Sequence, residues 1–193
     1  MLRSPVSRFI LRVLGWLPVA FAVWYFAAPL LVLPAGWLVQ AVSHVGFGDL
    51  VRNVEQVRST FTFTTTLLPG RVLSGAAVTV EVNALLYAFG LPLFVALTLA
   101  AGEPRWWRTL AIGYVALLPV IAWGTLADFL KNIAITSGPA IASQTGFSGG
   151  QREIIAFAFQ FGSLILPTVV PAVVWVVTHR KFLTQRIYRG RAA

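Results

Sequence analysis

The sequence predicts an all-α membrane protein: a four-helix transmembrane bundle carrying a small periplasmic β-hairpin. Three observations predict it. Of the 193 residues, 58% are hydrophobic and only 11% charged, against roughly 25% charged in an average soluble domain. Four apolar stretches approach the roughly 20 residues that a helix needs to cross a hydrocarbon core. The net charge of +9 falls wholly on one side of those stretches. Mean hydropathy is +0.79, which excludes a disordered chain and argues against a soluble globular domain. Residues 1–193 are therefore read as a single integral membrane domain.

The first span runs from about Phe9 to Leu33, with Arg12 its only charge and Pro18 and Pro29 inside it. Membrane helices tolerate such prolines because neighbouring groups satisfy the freed backbone. A cleaved signal peptide is the alternative, given the basic residues ahead and the small pair Ala27-Ala28. The apolar run is longer than the roughly 7–15 residues of a signal core, so it is read as a retained span. Pro34 to Val45 continues it as a short apolar segment at the interface. The first outside loop, about His44 to Asn83, is the one part that reads as strand. From Thr60 to Thr66, Phe61 and Phe63 face one way and Thr60, Thr62 and Thr64 the other. From Ala76 to Val82, Val78, Val80 and Val82 share a face opposite Thr79 and Glu81. This period of two marks half-buried strands. Between them lies Leu68-Pro69-Gly70-Arg71, and proline followed by glycine suits a type II turn.

The second span covers about Ala84 to Ala101 and the third about Leu110 to Leu126. A second outside loop, about Asp128 to Glu153, is broken into flexible pieces by Ser137-Gly138-Pro139 and Gly146-Phe147-Ser148-Gly149-Gly150. Its glycines lack the G-K-[ST] ending of a phosphate loop. The fourth span covers about Ile154 to Val177, with Pro167 and Pro171 inside.

Charge placement sets the orientation. The N-terminus, the loop between spans two and three, and the C-terminal tail together hold ten of the fifteen basic residues and one of the six acids. On the opposite side Arg52, Arg58, Arg71, Lys131 and Arg152 are matched by Asp49, Glu55, Glu81, Asp128 and Glu153. The expected topology is multi-pass in the inner membrane with both termini cytoplasmic. A basic cytoplasmic face suits anionic lipid headgroups, so membrane lipid is the expected partner and a nucleic-acid reading is unnecessary.

Little chemistry survives the residue inventory. With no cysteine, disulfides, thiolate metal sites and a cysteine nucleophile are excluded. Two histidines, His44 and His179, cannot build a metal site alone, and neither has an obvious serine partner for nucleophilic catalysis. No cofactor, metal or catalytic residue is expected. The polar residues at the outer ends of the spans form the candidate binding cluster: Glu81, Asn83, Asp128, Lys131, Gln151 and Arg152. Asp128 and Lys131 stand three apart on one helix face, and each residue taken singly also fits ordinary interfacial charge. Gln160 and Ser163 in span four and Tyr87 in span two read as packing groups. Ala158 and Gly162 form a small-xxx-small pair beside Gln160, fit for close helix contact and one interhelical hydrogen bond.

Val80-Glu81-Val82-Asn83, followed by Leu85-Leu86-Tyr87 and a span, resembles the core of the exosortase and archaeosortase family. Those membrane transpeptidases cut and re-anchor proteins that carry a C-terminal sorting signal. Their comparable V-E-x-C motif opens a membrane span, an arginine follows near the outer end of the next, and a basic or histidine residue near the start of the one after. Here Asn83 stands where the cysteine falls, Asp128 and Lys131 near the arginine, and Gln151 and Arg152 near the third position. Over nearly its full length the chain is closer to the exosortase H-associated membrane proteins of Gram-negative bacteria. Two segments carry that resemblance: Glu81 through Pro92, and Gln144-Thr145-Gly146-Phe147 through Gln151-Arg152-Glu153. It implies a non-catalytic accessory protein that binds a sorting enzyme or its substrate's C-terminal segment. The alternatives are a cysteine-independent membrane transpeptidase or protease of similar fold, and a structural subunit of an unrelated membrane complex.

The one-sided charge makes topology testable. Reporter fusions at Gly102 and after Arg191 are expected to read cytoplasm, and one at Gly70 periplasm. A cytoplasmic signal at Gly70 reverses the orientation.

Overall fold

The computed structural model describes residues 5–69 and 77–184. The chain begins with α1 (Pro5–Leu31) and α2 (Leu33–Phe47). Three strands follow, β1 (Val51–Val57), β2 (Thr60–Thr65) and β3 (Thr79–Asn83). Then come α3 (Leu85–Ala88), α4 (Gly90–Ala101) and α5 (Trp106–Lys131), the last running into a π-helical turn at Asn132–Thr136. A short α6 (Pro139–Ala142) and a 3₁₀ turn (Ser143–Thr145) lead to α7 (Gly149–Gln160). A second π turn (Phe161–Ile165), α8 (Leu166–Thr178) and α9 (Arg180–Leu183) complete the described chain.

Among the described residues, three helical segments are long and apolar enough to cross a membrane: Val6–Leu31, Trp106–Thr136 and Gly149–Thr178. The stretch expected as span two is shorter, an apolar segment at Leu85–Ala101. At 1.5 Å per residue it reaches about 26 Å. Its limits have local causes. Asn83 still belongs to β3, so no helix begins before it. At the other end Gly102 takes the left-handed conformation, φ +66°, and its N–H closes on the Leu99 carbonyl.

The segment expected at the interface, Pro34–Val45, is a separate helix. It turns Ala35, Gly36, Val39 and Ser43 inward and packs on α5 and β1. A side chain at position 36 would meet Gln56 and Phe61, so Gly36 lets the sheet lie directly on α2. The end of the third span also moves. Its helix continues past Leu126 through Thr136, because Asp128 finds its partners inside the protein. The segment 128–153, expected as a flexible loop, is largely helical. The glycine breaks do persist, with Gly138 at φ +88° and Gly146 at φ +69°.

The two strands read from alternation pair antiparallel, with Phe61 opposite Val82 and Phe63 opposite Val80. Phe61, Phe63, Val80 and Val82 point inward, and Thr79 and Glu81 are exposed. The pairing extends beyond β2 through Thr65 N–H to Val78 O and Val78 N–H to Leu67 O. Of the turn expected at Pro69-Gly70, Gly70 lies outside the described residues. The sheet has a third strand that alternation did not show: the order is β1-β2-β3. In β1 the valines stand at 51, 54 and 57, a spacing unlike a strand's. The register slips between Val51 and Asn53, so a bulge absorbs one residue and the period of two is lost.

The sheet is held to the helices by the Phe63 and Phe129 rings, stacked at 4.2 Å between centroids and 15° apart. At the other end of α5, Arg12 approaches the Gly102 turn, and Phe9 stacks on Trp175 at 5.5 Å. The start of α1, the α4–α5 turn and the end of α8 thus gather at one end of the molecule, opposite the sheet.

Phe63→Ala removes a fully buried ring and is expected to cost about 3–5 kcal/mol, whereas Thr62→Ala on the outer face should change stability by about 0.5 kcal/mol or less. Unfolding curves of the two variants in the same detergent check the difference.

Candidate functional site

The site grows from the second half of α5. Between Val120 and Phe129 every residue except Trp123 is buried, and small side chains at Ala122, Gly124, Thr125 and Ala127 let neighbours come close. Gly124 takes the Tyr87 ring against its backbone, where a Cβ would overlap the ring. That contact sets the Tyr87 hydroxyl beside the Asp128 carboxylate.

Asp128 is only 9% exposed, and a buried carboxylate is tolerated when it is paired and hydrogen-bonded. Lys131 Nζ lies 2.9 Å from its Oδ1. Asn132 Nδ2 donates to the same oxygen at 3.0 Å and to the Asp128 carbonyl at 2.9 Å. Residues 128, 131 and 132 share one face of the helix by spacing alone. Lys131 in turn sits over the Phe159 ring, 4.1 Å from its centroid, a cation–π contact from α7. The network is flanked by both π turns, and such turns recur at functional sites.

Each of the six residues expected as one cluster has contacts of its own. Asp128 and Lys131 are joined directly. Glu81 stands exposed on the outer face of β3, opposite Thr62. Asn83 Oδ1 accepts the Leu85 N–H at 3.0 Å and so steadies the start of α3. Gln151 completes a capping box with Ser148: Gln151 N–H donates to Ser148 Oγ, and Ser148 N–H donates to Gln151 Oε1. Arg152 Nη2 donates to the Ala142 carbonyl at 3.0 Å, and its buried Nε has no partner.

Tyr87, Asn132 and Phe159 were not among the residues singled out for binding. Another unanticipated tie is Gln144, whose amide pairs with the Leu68 peptide as a strand would. Leu68 N–H donates to Oε1 at 3.0 Å, and Nε2 donates to Leu68 O at 2.9 Å. The small-xxx-small pair packs as expected, while the polar contact beside it differs. Gln160 is exposed, and the bond between α5 and α7 runs from Trp123 Nε1 to the Ala158 carbonyl, 3.2 Å. Gly162 supplies the bare backbone beside that indole.

Two clefts flank these groups. An apolar groove of about 290 Å³ lies between Val42 and Phe47 of α2, Trp123 and Leu126 of α5, and Ile154 and Ala158 of α7. A larger, mixed cleft of about 530 Å³ lies between α1 and the sheet.

Long apolar helices, a part-buried ion pair within one of them and a small sheet at one end define a helical membrane protein with three candidate spans among the described residues. The sequence model of the exosortase H-associated membrane protein family matches residues 3–182, and the chain belongs to that family. No curated protein and no solved structure matches it.

Asp128→Ala leaves the part-buried Lys131 without its partner and is expected to cost about 1–3 kcal/mol. Asp128→Ala combined with Lys131→Met removes both charges and should recover most of that loss. Thermal unfolding of Asp128→Ala, Lys131→Met and the double variant in detergent gives the coupling, and additive losses mean the pair contributes nothing.

Proposed function

We propose that the chain is a non-catalytic accessory protein of an exosortase-type protein-sorting system. It binds the sorting enzyme or the C-terminal segment of its substrate within the membrane. Membership of a family associated with exosortase H supports the setting, and Asn83 is the observation that carries the role. The similar sorting enzymes keep a cysteine nucleophile at this point of the motif. Here an amide stands there, its nitrogen lone pair delocalised into the carbonyl and its oxygen engaged by Leu85 N–H. The chain has no cysteine to substitute. His179 lies at the far end of the molecule, buried against Trp175.

Recognition is then a matter of binding surface. The apolar groove between α2, α5 and α7 suits the side chains of a membrane-embedded segment. Lys131, Gln151 and Arg152, from the same helices, offer polar contacts worth roughly 1 kcal/mol each. The inner membrane is the location, with the basic end, where the start of α1 meets the end of α8, in the cytoplasm.

The Tyr87–Asp128–Lys131 network favours one second reading, a cysteine-independent membrane transpeptidase or protease. Reconstitution separates the two. The purified protein is mixed with a sorting-signal substrate, with and without exosortase. No cleavage is expected without exosortase, and the protein should co-purify with enzyme or substrate from native membranes in mild detergent. Cleavage without exosortase that is lost in Lys131→Ala promotes the enzyme reading. Capture of neither enzyme nor substrate overturns the accessory role.

A further inference from the structure

We infer that the mixed cleft between α1 and the β1–β2 turn is a binding site for an anionic phospholipid, with the headgroup phosphate held by Arg58. The reasoning starts from the turn. Val57 pairs with Thr60, so β1 and β2 are joined by the two residues Arg58-Ser59. Arg58 has φ +57° and is, among the described residues, the one non-glycine with positive φ. Glycine, asparagine or aspartate fills such hairpin positions with less strain. An arginine there meets no need of the turn, and backbone strain of this kind collects where a side chain is used.

The strained turn is firmly held. Gln56 Nε2 donates to the Arg58 carbonyl at 2.7 Å and to the Pro29 carbonyl of α1 at 3.2 Å. The Ser59 carbonyl accepts the Ala84 N–H at 2.9 Å. Arg58 therefore projects from a fixed point beside the end of α1.

The cleft it lines measures about 530 Å³, within the usual range for small-ligand sites. One wall is polar: Arg58, Ser59, Thr60 and Asn83. No carboxylate lines it, and among the described residues none pairs with Arg58. Asn83 spends its oxygen on Leu85 N–H, which leaves its amide nitrogen as a donor. A guanidinium, an amide and two hydroxyls suit a phosphate, and arginine matches that group with two parallel hydrogen bonds.

The other wall is apolar and belongs to α1: Tyr25, Phe26 and Pro29. Phe26 is 82% exposed and lies near the end of a candidate span, where aromatic rings sit at headgroup level. A ligand with phosphate at one end and hydrocarbon at the other satisfies both walls, and a free anion satisfies one.

The test uses the full chain purified in mild detergent and placed in nanodiscs of phosphatidylglycerol or phosphatidylcholine. Native mass spectrometry counts retained lipid, and thermal unfolding reports the fold. The wild type is expected to retain phosphatidylglycerol over phosphatidylcholine. Arg58→Gly relieves the backbone angle, so it should unfold no earlier than wild type in detergent yet lose roughly tenfold in retention, as removal of a charged hydrogen bond predicts. Arg58→Asn also tolerates the angle and should show the same loss, which covers a failure of the glycine variant to fold. Equal retention by wild type and the folded variants overturns the site. So does displacement of the lipid by millimolar inorganic phosphate, which assigns the cleft to a free anion.

Discussion

Helix α5 is enclosed over its second half, and that enclosure governs what packs on it. With Trp123 the one exposed residue between Val120 and Phe129, neighbours approach from nearly every side. A helix that is hydrophobic all round must be covered in this way, whether by protein or by lipid. Here protein does most of the covering, so the contacts become those of bare backbone. Gly113 receives Phe94, Gly124 receives Tyr87, and Gly162 faces Trp123 from the other helix. The same logic recurs where Gly90 meets Pro167 and Pro171. Phe129 then offers the flat ring on which Phe63 fixes the sheet.

Enclosure also decides the fate of the one carboxylate in that stretch. Asp128 has little water to rely on, and Lys131 and Asn132 donate to it with the Tyr87 hydroxyl alongside. With its charge met locally, the helix need not stop. It runs on through Lys131 and into a π turn, whose wider ring is closed by Ser137 N–H on the Asn132 carbonyl. The polar network is therefore part of the helix interior, held by side chains of the same element and of two neighbours.

Local patterns in the sequence identify β2 and β3, because an unbroken period of two needs no knowledge of the partner. They do not identify β1, where a bulge follows Val51 and where Val54 and Val57 fall on opposite faces. The apolar stretches identify three long helices, but the end of α5 was concealed because Asp128 and Lys131 look like the edge of a membrane span. Their pairing was legible from three-residue spacing, and Asn132 could have been added from the same face. Tyr87 could not, since its contact crosses forty-one positions and depends on the absence of a side chain at Gly124. The partners of two residues of the expected outer cluster were hidden for a different reason. Asn83 at the end of β3 bonds the Leu85 N–H and Gln151 closes the capping box of α7, local demands that composition does not reveal.

The Gln144–Leu68 pairing has a consequence for how the chain comes together. Its two residues are 76 positions apart, and domains assemble from the N-terminus as they are synthesised. When Leu68 emerges, the amide that will complete its hydrogen bonds does not yet exist. Until α3, α4 and α5 have been made, the exposed Leu68 peptide is left to water. Closure of so long a loop is slow compared with pairing between adjacent strands. The last turn of the tie between the sheet and the segment 139–145 is thus a late event in biogenesis, and the chain is sealed in an order that its covalent sequence dictates.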